Sequence, residues 1–336
     1  MSIKMNDQYT NKLLEISAEY DEAFRNTSIL ITGATGLIGG ALLKAFVIMQ
    51  EKFNVPIELF VLVRNPARVP DSSFYSVIQG DAQTVNLTGY NFNYVFHSAG
   101  ISSPDLYMTK PVDTVETNVL GTSNILKQIV DMDLRRFLFV STGEVYGKID
   151  GEGLIDEESL GLLQFDTIRS SYSESKRMTE NLTLAYAAQY QVPVNIARLS
   201  HVLGPHFTEK DKRISADFFR TAWRKDNIVL KSSGETLRTY IFVTDVVSSF
   251  FHIVLNGKEN EIFNVTNSDN TVSIKKLAQY IAELNEVEVM FDTPSTIELK
   301  AQAPMKRATL EDRKLRSIGW SPKTSLFEGL KLVNNR

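Results

Sequence analysis

Tyr172 and Lys176 stand four residues apart in the run YSESK, inside a stretch whose apolar spacing predicts a helix from Tyr172 to Tyr190. Residues at i and i+4 share a helix face, so the phenol and the ammonium are neighbours. A tyrosine titrating near 10 is a poor base at neutral pH. Bringing it to about 7 takes roughly 4 kcal/mol of preferential phenolate stabilisation, which nearby positive charge supplies. A phenolate of that kind accepts the proton of an alcohol as the alcohol is oxidised. Tyr-xxx-Lys by itself is equally an exposed helix pair, and the discriminating feature is a hydroxyl at the end of a preceding strand. Thr142, in FVSTGEVYG, has that place and would hydrogen-bond the reacting oxygen. Glu144 lies two residues further on, placed either for a second proton transfer or for a structural hydrogen bond.

An alcohol oxidation needs a hydride acceptor, and a second motif points to one. In ILITGATGLIGG, Gly33, Gly36 and Gly39 follow a short apolar strand, Ser28 to Thr32, and open a helix predicted over Leu37 to Gln50. Glycines at such a junction let backbone N–H groups approach a pyrophosphate, and the helix N-terminus favours its charge. Thr35, Leu37 and Ile38 complete that turn as dinucleotide contacts. A carboxylate at the end of the second strand would hold the ribose of NAD. Here Ile57 to Val63 runs into Arg64-Asn65-Pro66 with no acid, and an arginine suits a 2′-phosphate. Arg64 therefore favours NADP, with NAD left open. Asp81 and Ala82, after Gly80, fall at the adenine, and Ser98, Ala99 and Gly100 close the fourth strand along the dinucleotide. His97, just before them, reads as a structural residue of that turn.

The elements that must position these groups alternate regularly. Strands at Ser28 to Thr32, Ile57 to Val63, Tyr75 to Ile78, Asn93 to His97, Arg136 to Ser141 and Val194 to Leu199 are interleaved with helices at Leu37 to Gln50, Val112 to Met132 and Tyr172 to Tyr190. That alternation predicts an α/β fold, a Rossmann-type doubly wound parallel sheet over residues 28–199. Residues 1–27 read as an N-terminal helical extension, with Leu13, Leu14, Ile16, Tyr20 and Phe24 on one face. Residues 200–336 read as a smaller, mostly C-terminal α/β substrate domain that returns some segments to the first, with helices near Ile274 to Leu284 and Leu326 to Val333.

Composition excludes other chemistries. The chain of 336 residues is 43% hydrophobic and 23% charged, with a formal net charge of −4, which fits an ordinary globular protein and not a nucleic-acid or anionic-membrane binder. It has no cysteine, so disulfides, thiolate metal sites and a cysteine nucleophile are excluded. No apolar run reaches spanning length and the N-terminus is polar, so a cytoplasmic protein is expected. His97, His201, His206 and His252 form no metal-ligating pattern, and no GxSxG elbow is present.

Taken together, GATGLIG, HSAG, Asn118 in TNVLGT, STGEVYG, YSESK, ARLSHVLGP and LRTYIFVTDVV resemble the extended short-chain dehydrogenase/reductase family, in its nucleotide-sugar epimerase, dehydratase and decarboxylase branch. The resemblance implies transient oxidation at C4 of a nucleotide sugar to a 4-keto intermediate, with Thr142, Tyr172 and Lys176 as catalytic residues and Tyr172 as base. It implies that Asn118 supports a relay water or the helix geometry around Lys176, in the dinucleotide site. Ser102, Ser200, His201, Arg213 and Arg238 take substrate positions, Arg238 at the diphosphate, while Asp245 braces the loop beside it. Lys212 and Arg213 are either diphosphate contacts or a solvated pair. His201 or Ser200 replaces an amide usual in the family. Where thymidine-nucleotide dehydratases carry an aspartate before the glutamate, this chain has Gly143. The resemblance also implies a homodimer formed through Val112 to Met132 and Tyr172 to Tyr190. Alternative readings are an NADPH-dependent 4-keto-sugar reductase, a nucleotide-uronate decarboxylase and, last, a non-catalytic NAD(P)-binding protein.

Overall fold

The computed structural model describes residues 8–151, 153–205, 211–292 and 307–335. The first seven residues of the N-terminal extension, and His206, lie outside them. In the first half of the chain the elements are α1 (Gln8–Tyr20), β1 (Thr27–Thr32), α2 (Leu37–Phe53), β2 (Ile57–Val63), β3 (Ser76–Gln79), β4 (Tyr94–His97), α3 (Pro104–Thr109), α4 (Pro111–Ile129), β5 (Arg136–Thr142), α5 (Ser170–Tyr190) and β6 (Val194–Leu199). They continue with β7 (His201–Leu203), α6 (Ile214–Trp223), β8 (Ile228–Leu230), β9 (Leu237–Phe242), α7 (Val243–Asn256), β10 (Glu261–Val265), β11 (Thr271–Ser273), α8 (Ile274–Asn285), β12 (Val289–Phe291), β13 (Arg307–Ala308), α9 (Arg313–Ser317) and α10 (Leu326–Asn334).

Seven parallel strands form the main sheet in the order β10-β6-β5-β4-β1-β2-β3. The chain starts in the middle, winds outward to β3, then crosses back to β4 and beyond. That reversal beside β1 opens a crevice at the carboxyl ends of β1 and β4, where open α/β sheets bind ligands. Alternate residues of each strand serve opposite cores. Ile29, Ile31, Val61, Phe96, Leu138 and Val140 pack on the face covered by α2 and α7, whereas Leu30, Leu62, Val95, Phe137 and Phe139 pack on the face covered by α4 and α5. Burial on both faces explains why the strands read as unbroken apolar runs.

Several expected boundaries shift. The N-terminal helix ends at Tyr20, and Phe24 enters the core from a separate short turn whose start is capped by the Asp21 carboxylate. The short helix α3 is not expected from the sequence pattern. β10, from the C-terminal part, completes the main sheet against β6. The smaller α/β region is built around β9, which pairs with β7, β11 and β13, beside a β8–β12 pair covered by α6 and α8.

Candidate active site

A groove of about 2310 Å³ runs along the carboxyl ends of the main strands and into the smaller region. Single-ligand pockets span about 300–1,000 Å³, so this one has room for a dinucleotide and a second ligand together. Gly33, Thr35, Gly36, Leu37, Ile38, Gly39, Arg64, Asp81, Ala82, Ser98, Ala99, Gly100, Ser102, Thr142, Glu144, Tyr172, Lys176, Ser200, His201, Arg213 and Arg238 all line it. Of the anticipated site residues, only Asn118 does not. It is 1% exposed, behind the groove.

The glycine turn has two different uses for glycine. Gly33 sits at φ +74°, and a Cβ there would come within 2.8 Å of the Ser98 carbonyl and the Ala99 nitrogen. A Cβ on Gly39 would meet the Gly33 carbonyl oxygen at 2.3 Å. These two let β1, the β4 loop and α2 touch. Gly36 is the N-cap of α2 and faces the groove, where a Cβ would meet nothing closer than the Gly33 oxygen at 3.4 Å. The first-turn N–H groups of a 17-residue helix thus open onto unobstructed space, which fits a pyrophosphate. At the far end Arg64 is largely exposed and pairs with Asp81 at 3.8 Å, while Asp81 Oδ1 also accepts from the Gln83 N–H.

His97 is built into the wall. Thr122 Oγ donates to the Asn118 carbonyl, so His97 Nε2 must donate to Thr122 at 3.0 Å. Nδ1 is then bare and accepts from Thr32 Oγ at 2.9 Å, and Thr32 in turn accepts from the Ala99 N–H. The tautomer is assigned from this network. Burial and the Lys176 charge push the imidazole down to about 3, so it stays neutral. Asn118 accepts from the Ile101 N–H at 3.1 Å and donates to Ser175 Oγ at 2.9 Å, tying α4 to α5 and to the loop along the dinucleotide face.

The reactive cluster lies where β5 meets α5. Thr142 and Tyr172 line the groove together, and the Thr142 side chain acts to lower the phenol's pKa. Lys176 Nζ donates to the Val140 carbonyl at 2.9 Å and lies 4.6 Å over the Phe139 ring. Burial pulls the lysine down to about 8, against the opposing charge of Glu180. The phenol does not follow the sequence-based expectation in the protein alone. Burial and the Glu144 charge push Tyr172 above its ordinary value, and the Thr142 side chain only partly offsets them. The ammonium gives one of its three N–H groups to the Val140 carbonyl, and no hydrogen bond joins it to the phenol.

Two residues join the cluster that the sequence did not single out. Tyr107, from α3, stacks on Tyr172 with ring centroids 5.2 Å apart and planes 13° from parallel. Arg169, one turn before Tyr172, forms an ion pair with Glu144 at 3.1 Å and lies 5.9 Å over the Tyr107 ring. Ser173 Oγ also donates to Glu144. Arg169 has a local signal, its position at the start of the YSESK helix. Tyr107 has none, because α3 reaches the phenol only through the tertiary fold. Glu144 thus stands half-buried with one arginine, beside the phenol.

On the substrate side, Arg238 Nη1 donates to His201 Nε2 at 3.2 Å, the one side-chain partner of this guanidinium among the described residues. A guanidinium only donates, so His201 is neutral with Nε2 bare. Burial with the Arg238 and Arg213 charges pushes it down to about 3. A half-buried arginine facing a groove with no carboxylate partner has donors of the kind that suit an anion. Arg213 is differently placed. It forks onto Asp211, with Nε 3.0 Å from each carboxylate oxygen, and donates to the Val202 carbonyl at 2.8 Å. Its donors are therefore largely engaged, whereas the sequence alone leaves it between a diphosphate contact and a solvated charge. Ser200 accepts from Thr266 Oγ. Asp245, away from the groove, accepts from the Lys323 and Thr324 N–H groups and braces that loop. A Cβ on Gly143 would lie 3.0 Å from the Leu310 side chain. Among the described residues no cluster of histidine and acid side chains could hold a metal ion, and no helix is long and apolar enough to cross a membrane.

Arg238→Leu is expected to raise KM for an anionic substrate at least about tenfold, the cost of losing charge-assisted hydrogen bonds of about 1.5–3 kcal/mol, with dinucleotide affinity unchanged. Steady-state kinetics beside a dinucleotide titration check this.

Comparison with known proteins agrees with this geometry. The model of the NAD dependent epimerase/dehydratase family matches residues 29–266. Human dTDP-D-glucose 4,6-dehydratase is 27% identical over 320 residues, covering 90% of this chain and 87% of that protein. UDP-glucuronic acid decarboxylase 3 of Arabidopsis thaliana is 27% identical over 317 residues, covering 92% and 88%. The structure of Thermus thermophilus UDP-glucose 4-epimerase in complex with NAD superposes with a TM-score of 0.77 at 21% identity, covering 92% of this chain and 98% of that one.

Proposed function

From the premise that the chain belongs to the NAD dependent epimerase/dehydratase family of nucleotide-sugar enzymes, we propose that it oxidises C4 of a nucleotide sugar transiently, with Tyr172 as the base. One observation carries the proposal. Tyr172, Thr142 and Lys176 line the same groove as the open N-terminus of α2 and the unpaired face of Arg238. A dinucleotide lying from Gly36 toward Lys176 supplies the hydride acceptor and a positive charge near the phenol. Arg238 holds the diphosphate of the sugar nucleotide. Thr142 orients the sugar hydroxyl against Tyr172 Oη, which takes its proton. Lys176, anchored on the Val140 carbonyl, holds the ribose end. Tyr107 covers the phenol's face and keeps water from it.

We infer NAD as the cofactor. The Arg64 charge that favoured NADP is shared with Asp81, and the Thermus thermophilus epimerase was solved with NAD. After C4 oxidation, Glu144 is the group next to the 4-keto sugar. Epimerisation, dehydration and decarboxylation all start from that intermediate. Decarboxylation of a nucleotide uronate is the second reading, and Gly143 favours it. The Leu310 side chain fills the space next to that position, so position 143 supplies no acid to protonate a leaving hydroxyl. Incubation with a panel of nucleotide hexoses and uronates, read by mass spectrometry and NMR, tests both. A 4-keto, epimerised or decarboxylated product with the cofactor recycled is expected. Stoichiometric consumption of NADPH would instead establish the net reductase, and dinucleotide binding without turnover a non-catalytic protein.

The protein is expected to be a homodimer. Val112, Val115 and Leu120 of α4, Met178 of α5, and Leu160, Leu162, Phe165 and Ile168 from the segment before α5 are large apolar side chains left exposed on and beside the two helices expected to pair. Sedimentation at micromolar concentration should give a dimer, and Val115→Glu a monomer. A monomeric wild type rejects the assignment.

A further inference from the structure

Consecutive residues at the end of β5 are fastened to successive turns of α5. The Val140 carbonyl accepts from Lys176 Nζ, and the Thr142 side chain acts on the Tyr172 phenol to lower its pKa. Between them, Ser141 Oγ donates to the Glu180 carboxylate. Tyr172, Lys176 and Glu180 follow at i, i+4 and i+8, so they form one stripe along the helix. Unlike the other two, Glu180 does not line the groove, and it is only 5% exposed. Its other side is held by Arg198 of β6, whose Nε lies 3.1 Å from both carboxylate oxygens and whose Nη2 lies 2.7 Å from one. Arg198 is the register partner of Ser141 across the β5–β6 ladder, so carboxylate, hydroxyl and guanidinium close a triangle between two strands and one helix. The guanidinium is itself backed by the Tyr146 ring at 4.7 Å and the Glu157 carbonyl at 3.3 Å.

A buried ion pair is a poor way to hold a helix to a sheet, because desolvation consumes most of the attraction and apolar side chains of similar shape do as well. This pair therefore calls for a use besides packing, and its position supplies one. We propose that Glu180, locked between Ser141 and Arg198, is a positioning residue for the reaction: it fixes β5 against α5 at the reacting phenol and supplies the negative charge that keeps Lys176 an ammonium. This rests on the reading of Tyr172 as base and Lys176 as its cationic neighbour.

The surroundings of Lys176 support the assignment. The titratable groups facing it are Tyr172 and Glu180 on its own helix and His97 on β4, with Arg198 beyond Glu180. His97 is neutral and the phenol is protonated in the protein alone. Among the described residues Glu180 is thus the negative charge acting against the desolvation that draws the lysine down to about 8. Without it, a larger share of Lys176 is neutral at the pH where the phenol must give up its proton.

The test is NMR titration of lysine side chains labelled with 13C at Cε, with the Lys176 signal assigned by its loss in Lys176→Met. Wild type should titrate near 8. Glu180→Gln should titrate about one pH unit lower, the size expected for losing a nearby opposite charge. Glu180→Asp keeps the charge and should return close to wild type. In turnover, Glu180→Gln should lose at least about tenfold in kcat with KM unchanged, and the alkaline limb of its pH profile should move down with the lysine. If Glu180→Gln does not fold, the neutral pair Glu180→Gln/Arg198→Gln gives a smaller shift in the same direction, because the more distant Arg198 cation is removed together with the nearer carboxylate. An unmoved Lys176 signal in a folded variant overturns the proposal, as does an equal kcat loss in Glu180→Gln and Glu180→Asp with unchanged pH profiles. A wild type that turns over no nucleotide sugar, with the lysine shift observed, instead overturns the reading of the reaction and leaves the electrostatic coupling standing.

Discussion

Tyr172→Phe is expected to lower kcat by about 10²–10⁴-fold, the contribution of a positioned acid–base group, with melting temperature and dinucleotide affinity close to wild type. The substitution removes one oxygen and little else. The ring keeps its stack on Tyr107 and its burial between α3 and β5. Thr142 still accepts from the Glu144 N–H at 3.3 Å and opens onto the groove, where water can take its O–H. The expected loss is large because the titratable neighbours of the phenol are held by other partners: Glu144 by Arg169 and Ser173, and His97 in the wall by Thr32 and Thr122. Because burial and Glu144 together push the phenol up in the protein alone, the acidifying charge must arrive with the bound dinucleotide. The alkaline shift in a tyrosinate difference spectrum, wild type minus Tyr172→Phe, should therefore move to lower pH when the oxidised cofactor is added. Turnover by Tyr172→Phe within a few-fold of wild type would falsify the assignment of the base.

The glycine turn gives the second large effect, split between two variants that look alike in sequence. Gly39→Ala should be severely destabilised. Its Cβ would lie 2.3 Å from the Gly33 oxygen and 2.7 Å from the Gly33 carbonyl carbon, both backbone atoms that cannot rotate away. Overpacking typically costs about 1–3 kcal/mol, and a rigid backbone neighbour puts this site at the upper end or beyond. Gly36→Ala should behave in the opposite way. With φ −88° and ψ 174° an L-residue is at ease there, and the nearest atom is at ordinary contact distance. Its melting temperature should change little, since alanine's restriction of the unfolded chain is offset by its poorer fit as an N-cap. The new methyl would project over the N-terminal N–H groups of α2 and keep a phosphate from reaching them. Losing two such bonds, at about 1.5–3 kcal/mol each, weakens dinucleotide binding by more than about 100-fold. Thermal melts and fluorescence titration with NADH measure the two effects separately. A Gly36→Ala protein that binds NADH as tightly as wild type would remove α2 from the dinucleotide site.

Much of this was open to inspection in the chain itself. The βαβ alternation, the glycine turn at the first strand–helix junction and the Tyr172–Lys176 pair follow from periods of two and 3.6 residues and from local turn chemistry, which act over a few neighbouring residues. The sheet core was equally legible, because unbroken apolar runs such as Ile29-Leu30-Ile31 already state burial on both faces. Other features depend on contacts between distant segments. The place of Tyr107 on the phenol, the Leu310 side chain against Gly143, and the Ser141–Glu180–Arg198 triangle join residues far apart in sequence with no shared spacing. Arg213 shows the same limit from the other side. Its type suits a diphosphate, yet its fork is turned onto Asp211 and Val202.

Residue type and short-range period, then, determined which groups this protein owns and the fold class that carries them. Tertiary structure decided which of those groups are still free to act, because hydrogen-bond donors and charges are finite and each is consumed by whatever partner the folded chain brings first. It also decided the direction of the phenol's acidity, since burial and the field of Glu144 exist only once the chain has folded around them.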